Sequence, residues 1–213
     1  MDSTTTLIGF AITALSGYFA IMNPIPNTAT FIGVTKGDDR ATKRAVAAKS
    51  LLLAFAIIAV VSVAGNLIFK MFGITLASLR ITGGIVVFVI GYNMLQGSGA
   101  AGSPSKDDIA SSKEARLSVA VSPLAVPILA GPGTIATAMS FASGGWFHIA
   151  VSLAAFAVIC FVTYRCFIRS DKLVAYLGQN GLNVMTRLMG LIVASIGVGM
   201  FLTGIGYTPG SQV

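Results

Sequence analysis

The chain has 213 residues, 55% of them hydrophobic (about 117), against 14 Lys and Arg and 7 Asp and Glu. A soluble domain carries roughly a quarter charged residues; at 10% charged this chain is expected to use the bilayer as its solvent, in an all-α integral membrane fold. At about 20 residues per span the apolar content fills five or six helices, excluding a separate catalytic or DNA-binding domain.

In chain order, apolar runs bounded by Gly, Pro or charge fall near 7–33, 45–68, 74–96, 117–142, 146–168 and 186–206, which predicts six transmembrane helices. The first run follows Asp2 with no Lys or Arg before it, so it lacks the basic start of a cleavable signal peptide and is expected to remain as a helix. This run contains Asn23-Pro24-Ile25-Pro26-Asn27-Thr28 some sixteen residues past its start. Pro24 and Pro26 remove two amide donors and push Asn23 and Ile25 out of helical geometry, so the helix should break inside the membrane. The stretch Ser98–Arg116 is the only linker-like segment, and it divides the chain into a three-helix repeat at 1–97, a cytoplasmic linker at 98–116 and a second three-helix repeat at 117–213. The fourth run is interrupted by Pro123, Pro127 and then Gly131-Pro132-Gly133-Thr134. Runs of about 27 residues exceed what one crossing needs, which a broken or re-entrant path accommodates.

The basic residues orient these spans. Lys36, Arg40, Lys43, Arg44 and Lys49 follow the first run; Lys106, Lys113 and Arg116 lie in the linker; Arg165, Arg169, Lys172 and Arg187 surround the fifth connection. Twelve of the fourteen thus fall at alternate connections, with only Lys70 and Arg80 at the second, which predicts both termini outside the cytoplasm. The net charge of +7 therefore reads as membrane orientation, and no nucleic-acid partner is expected.

Sliding the chain on itself by 107 residues lays Arg80, Gly83, Ile85, Val86, Leu95 and Gly97 on identical residues at 187, 190, 192, 193, 202 and 204, and an offset of 108 lays Pro24 on Pro132. With three spans in each half, the second half must enter the membrane from the opposite side, an inverted-topology repeat of the kind transporters use. Irregular backbone at membrane depth needs protein or water to satisfy it, so both breaks should line a cavity. Each restart, Pro26-Asn27-Thr28 and Pro132-Gly133-Thr134, has a proline suited to a first helical turn and polar side chains able to cap. Free amides at such a start suit a carboxylate. The plain alternative is that the prolines only kink helices for packing.

All seven acidic residues fall in loops or at termini on this reading, which argues against a metal site, an Asp/Glu proton relay and a cationic substrate. The polar residues left within the spans are Asn23, Asn27, Thr28, Thr30, Asn66, Asn93, Thr134 and Thr137. Arg80 and Arg187 begin the third and sixth runs at opposite faces, as snorkelling anchors or as gate or substrate contacts. His148, beside Trp146, sits where interfacial anchors are common. Glycines 83, 84, 91, 190, 197 and 199 allow close helix contact. Cys160 and Cys166, six apart in one apolar run, match no metal or redox motif, and with a lone histidine they offer no acid–base pair, so neither an enzyme nor a cofactor is expected.

Three segments carry a family resemblance: Asn-Pro-Ile-x-Asn at 23–27, Arg-Ile-x-Gly-Gly at 80–84, and the run Pro123-Leu-Ala-Val-Pro127-Ile-Leu-Ala-Gly131-Pro132-Gly133-Thr134-Ile135. Together they resemble the MarC family of bacterial and archaeal inner-membrane proteins, over nearly the whole chain. The resemblance implies a six-helix protein grouped with neutral amino-acid transporters; the family usually has Gly where Pro26 stands, so the first break should be stiffer here. The resulting expectation is a secondary transporter, working outward by family analogy, of small neutral amino acids or similar metabolites. Its substrate-binding residues would be Asn23, Pro24, Pro26, Asn27, Thr28, Gly131, Pro132, Gly133, Thr134 and Thr137, with Arg80 and Arg187 as gates. The alternative is a channel-like or structural membrane protein without substrate-specific transport. The partners expected are the lipid bilayer and a small neutral amino acid or related solute, with a homo-oligomer as a further assembly.

Overall fold

A computed structural model describes residues 3–35, 37–97 and 129–207, all α-helical apart from short connections. In chain order the helices are α1 Ser3–Met22, α2 Asn27–Val34, α3 Arg40–Phe72, α4 Leu76–Leu95, α5 Pro132–Ala142, α6 Trp146–Ile168 and α7 Ser170–Gly204. Among the described residues four helical segments, in α3, α4, α6 and the part of α7 from Asn180, are long and apolar enough to cross a membrane, and α1 from Leu7 together with α2 passes the same test as a pair bent by 46°. Of the fourth predicted span only α5 is seen; the linker, Pro123 and Pro127 lie outside the described residues.

Local sequence explains the joints. Asn23 closes α1, its amide donating to the Phe19 carbonyl at 2.9 Å, and it takes a left-handed φ of 45°. Asn bears that conformation more cheaply than most side chains, and Pro24 prevents the helix from simply continuing. Thr75 and Ser78 close a reciprocal capping box on α4. Gly145 precedes α6 at φ 102° and Gly178 breaks α7 at φ 65°, ψ 172°, conformations open to residues without a Cβ.

Two expected boundaries are corrected. Arg40, Lys43, Arg44 and Lys49, expected in a loop, form the first turns of α3, because Lys, Arg and Ala are strong helix formers where hydropathy alone suggests a loop. The fifth connection is likewise short and helical on both sides: α7 starts at Ser170, with only Arg169 between it and the end of α6. Lys43 Nζ lies 3.6 Å from Asp171 Oδ1, so the starts of α3 and α7 meet at one end of the bundle. Phe10, Arg80, His148 and Thr203 gather at the other.

The core joins Tyr18 and Met22 of α1, Phe31 of α2, Val46 and Ile58 of α3, Leu129 before α5, and Phe156 and Phe167 of α6. Tyr18 and Ser152 share a buried hydroxyl–hydroxyl hydrogen bond of 2.7 Å, and Phe31 stacks on Phe167 at 4.5 Å. Large apolar side chains point outward, with Leu52 70% and Phe161 63% exposed, as a lipid-facing surface requires.

The tightest contact is the antiparallel seam between α4 and α7. Ala77, Gly84 and Gly91 on α4 face Gly204, Gly197 and Gly190 on α7, so a small residue stands on each side at every seventh position. A Cβ placed on Gly84 would stand 2.6 Å from the Gly197 carbonyl oxygen, and one on Gly197 would stand 2.4 Å from the Phe88 amide nitrogen. Lipid tails are as apolar as side chains, so close backbone approach, rather than exclusion of water, favours this association.

Candidate functional site

Both breaks sit in the middle of the bundle and next to each other. A Cβ on Gly133 would stand 3.9 Å from Ile21 Cγ2, in the last turn of α1, and 3.2 Å from Val87 Cγ2 of α4. Asn23, Asn27, Thr28, Thr134 and Thr137 are buried, none more than 4% exposed. Pro24, Gly131 and Gly133 are buried too, Pro26 is half-buried and Pro132 exposed.

The first break is a closed turn, which corrects the expected half-helix with free amides. The amide of Asn27 donates to the Asn23 carbonyl at 3.2 Å, that of Thr28 to Ile25 at 3.1 Å, and that of Ala29 to Pro26 at 3.1 Å. Pro26, at φ −58° and ψ −37°, already has helical geometry. A glycine there would leave these angles unfixed, so this proline stiffens the bend. Asn27 does not cap α2: its Nδ2 donates back to the Met22 carbonyl at 2.7 Å, tying the end of α1 to the start of α2. The Thr28 hydroxyl donates to the Ile25 carbonyl.

At the second break Gly131 is extended, at φ −71° and ψ 174°, and Pro132 occupies the first helical position, where the lack of an amide costs nothing. The Ile135 amide donates to the Gly131 carbonyl at 3.0 Å. Thr134 lies within the first turn and Gly131 is the cap residue, with no side-chain cap bond, so the expected capping role of Thr134 is corrected as well. The amides of Gly133 and Thr134 belong to the helix start that lacks intrahelical acceptors.

A cavity of about 730 Å³ opens at the end of the bundle away from the Lys43–Asp171 pair. Its wall is part apolar, with Phe10, Phe141 and Met200, and part hydroxyl, with Thr13, Ser16, Thr137, Ser140, Ser143 and Thr203. Thr137, one turn past Thr134 on α5, is the one predicted binding residue in the lining, and Arg80 is the one predicted gate residue there. Asn23, Pro24, Pro26, Asn27, Thr28 and Gly131 through Thr134 lie outside it, packed around the breaks. The Thr137 hydroxyl contacts Met200 Sδ at 3.9 Å. Arg80 is half-buried, with Nε 3.5 Å from Ser140 Oγ. Arg187 is exposed, with Nη2 3.6 Å from the point a Cβ on Gly97 would occupy, just past the end of α4. The two arginines of the repeat thus differ: one faces a cavity and the other lies at the opposite end of the seam. His148 also lines the cavity, its ring 4.7 Å from that of Phe10 and its Nδ1 buried without a hydrogen-bond partner.

Sequence reasoning missed the hydroxyls of Thr13, Ser16, Ser140, Ser143 and Thr203. The signal was present: Thr13 and Ser16 are three apart, as are Thr137, Ser140 and Ser143 in succession, so each set forms a polar stripe on one helix face.

A bundle of apolar helices, lipid-facing on the outside and broken at its centre, defines a multi-pass integral membrane protein. The chain belongs to the MarC family: the family model described as "MarC family integral membrane protein" matches residues 8–208. It is 40% identical to the "UPF0056 membrane protein YvbG" of Bacillus subtilis over 202 residues, covering 93% of this chain and 95% of that protein. Identity is 33% to YhcE of Escherichia coli, covering 91% of each chain, and 33% to PH0760 of Pyrococcus horikoshii, covering 89% of this chain and 91% of that one. No solved structure matches the chain. Bacteria and archaea thus share this kind of membrane protein.

Proposed function

We propose that the protein is a secondary transporter of small neutral amino acids or related small solutes in the inner membrane, without catalytic activity. The observation that carries this reading is the cavity, which runs from one end of the bundle to Thr137, about a turn and a half past the break at Gly131–Pro132. Its 730 Å³ falls within the roughly 300–1,000 Å³ typical of small-molecule sites, and its mixed apolar and hydroxyl wall suits a small polar solute. The two breaks beneath it, packed against each other, then form the barrier on the far side of the cavity.

The reading includes six spans in two three-helix halves of opposite topology, with both termini outside. Shifted by 107 residues, α2 falls on α5, α3 on α6 and α4 on α7. The packing follows the same exchange: α5 packs on α4 and α2 on α7, α5 packs on α3 and α2 on α6. The antiparallel α4–α7 seam is what an inverted pair requires. The grouping of basic residues at the Lys43–Asp171 end supports placing that end in the cytoplasm.

Gly199 offers the test. It lines the cavity, and a Cβ there meets nothing within 4 Å. In proteoliposomes, wild-type protein should move labelled alanine, glycine, serine or threonine down an imposed gradient. Gly199→Phe should stop that flux while melting at the wild-type temperature. Absence of flux for all four in the wild type, or full flux in a folded Gly199→Phe variant, would count against the reading. The first result would favour a structural membrane protein.

A further inference from the structure

We propose that the cavity is a carboxylate-binding vestibule in which Arg80 supplies the positive charge, and that the transported solutes are monocarboxylates recognised there, not at the first helix break. The proposal deepens the transport reading and rests on it. Arg80 is half-buried, and its nearest polar side-chain partner is the neutral Ser140 hydroxyl, at 3.5 Å from Nε. No Asp or Glu lines the cavity among the described residues; Asp38, Asp39 and Asp171 lie at the opposite end, where Asp171 pairs with Lys43. A guanidinium drawn out of bulk water without a counter-ion is costly, and a carboxylate arriving as ligand offsets that cost through two parallel charge-assisted hydrogen bonds.

Further features of the wall and of the first break bear on the ligand class. The hydroxyls of Ser140, Thr137 and Thr203 lie in the same wall and can serve a second polar group on the solute. His148 also lines that wall, with its Nδ1 turned towards Gly144 and buried, so the ring borders the cavity without offering that nitrogen to a solute. A single guanidinium balances one negative charge, so a monoanion is neutralised while a divalent anion such as phosphate keeps excess charge within a partly apolar wall. The first break is closed on itself by the Asn27, Thr28 and Ala29 amides, which leaves none of those three donors for a carboxylate there.

A snorkelling anchor would also place an arginine near the membrane surface. It needs only a long cationic side chain, however, and would not distinguish a carboxylate from its amide. The experiment uses the detergent-solubilised full-length protein and reads ligand-dependent thermal stabilisation. The probes are acetate, lactate, alanine and threonine, the amide counterpart of each, and inorganic phosphate. At least one carboxylate should stabilise the wild type while its amide and phosphate do not. Arg80→Gln should weaken that binding by about tenfold or more, Arg80→Lys should weaken it less, and Arg187→Gln should leave it unchanged. Equal stabilisation by acid and amide, undiminished binding in Arg80→Gln, or no stabilisation by any of the four acids would overturn the proposal. Flux of the best binder in proteoliposomes separates the two readings. Transport that persists in Arg80→Gln with an unchanged KM overturns the vestibule and leaves transport standing. Arginine-dependent binding with no wild-type flux overturns transport and leaves the vestibule.

Discussion

Replacing Gly91 by alanine should be among the most damaging single-methyl additions in this protein. The new Cβ would stand 2.3 Å from the Ala194 amide nitrogen, 2.6 Å from the Gly190 carbonyl oxygen and 2.8 Å from Ala194 Cα. Ordinary contact at a Cβ begins near 3.4 Å, so α7 must retreat from α4 by about 1 Å. All three obstructing atoms are backbone, and no rotamer change relieves them. A gap of that size forfeits roughly a quarter to a half of each atom pair's dispersion attraction, and rigid helices spread the loss along the seam from Ala77 to Gly91. Overpacking costs about 1–3 kcal/mol, and backbone neighbours place this site at the upper end. The better helix propensity of alanine returns about 1 kcal/mol, leaving a net loss of roughly 2 kcal/mol, or about 5 °C in melting temperature for a chain of this size. Gly9→Ala is the control: it lies on an exposed part of α1, where a Cβ meets nothing within 4 Å, and it should not lower stability. Melting in detergent can be followed by reaction of Cys160 and Cys166 with a thiol-reactive dye as the core opens. If Gly91→Ala melts within about 1 °C of Gly9→Ala, the two helices are not in backbone contact and the reasoning fails.

Gly83→Ala should destabilise for a different reason and be rescuable: its Cβ would stand 2.6 Å from Ala136 Cβ, a side-chain atom that Ala136→Gly removes. The double variant should melt above Gly83→Ala alone, whereas no side-chain truncation on α7 should rescue Gly91→Ala. Orientation can be read from cysteines placed at Tyr176 and Tyr207, both exposed, in a background lacking Cys160 and Cys166. A membrane-impermeant maleimide added to intact cells should label the cysteine at 207, and the one at 176 only after permeabilisation. Labelling of both from one side would refute the orientation.

The sequence carried the breaks because proline acts locally: Pro24 and Pro132 remove donors whatever surrounds them, and Asn23 is a residue that tolerates the left-handed turn. It did not carry what the breaks do with their polar groups. Asn27 looked like a cap for the helix it begins, yet it donates backwards to Met22, a carbonyl that only the folded turn brings within its reach. The cavity was harder still, since its lining comes from α1, α4, α5, α6 and α7, and only tertiary packing joins the Thr13 and Ser140 stripes. Of the six glycines expected at close contacts, five are there and Gly199 is not. Gly84, Gly91, Gly190 and Gly197 lie in the α4–α7 seam, Gly83 meets α5, and Gly199 faces open space. The basic start of α3 was misread because charge ends a hydropathy run without ending a helix.

The seam also limits how this gene can drift. Every single-base change in a glycine codon that alters the residue yields one with a Cβ, and at Gly84, Gly91, Gly190 and Gly197 that atom collides with the opposing backbone. A compensating change on the partner helix cannot remove a backbone atom, so paired substitution, the usual escape for packed side chains, is closed. Populations carrying this gene should therefore hold these four glycines nearly fixed, with only silent changes in their codons, while the lipid-facing positions between them, such as Ile85, Val89 and Leu191, exchange freely among apolar residues.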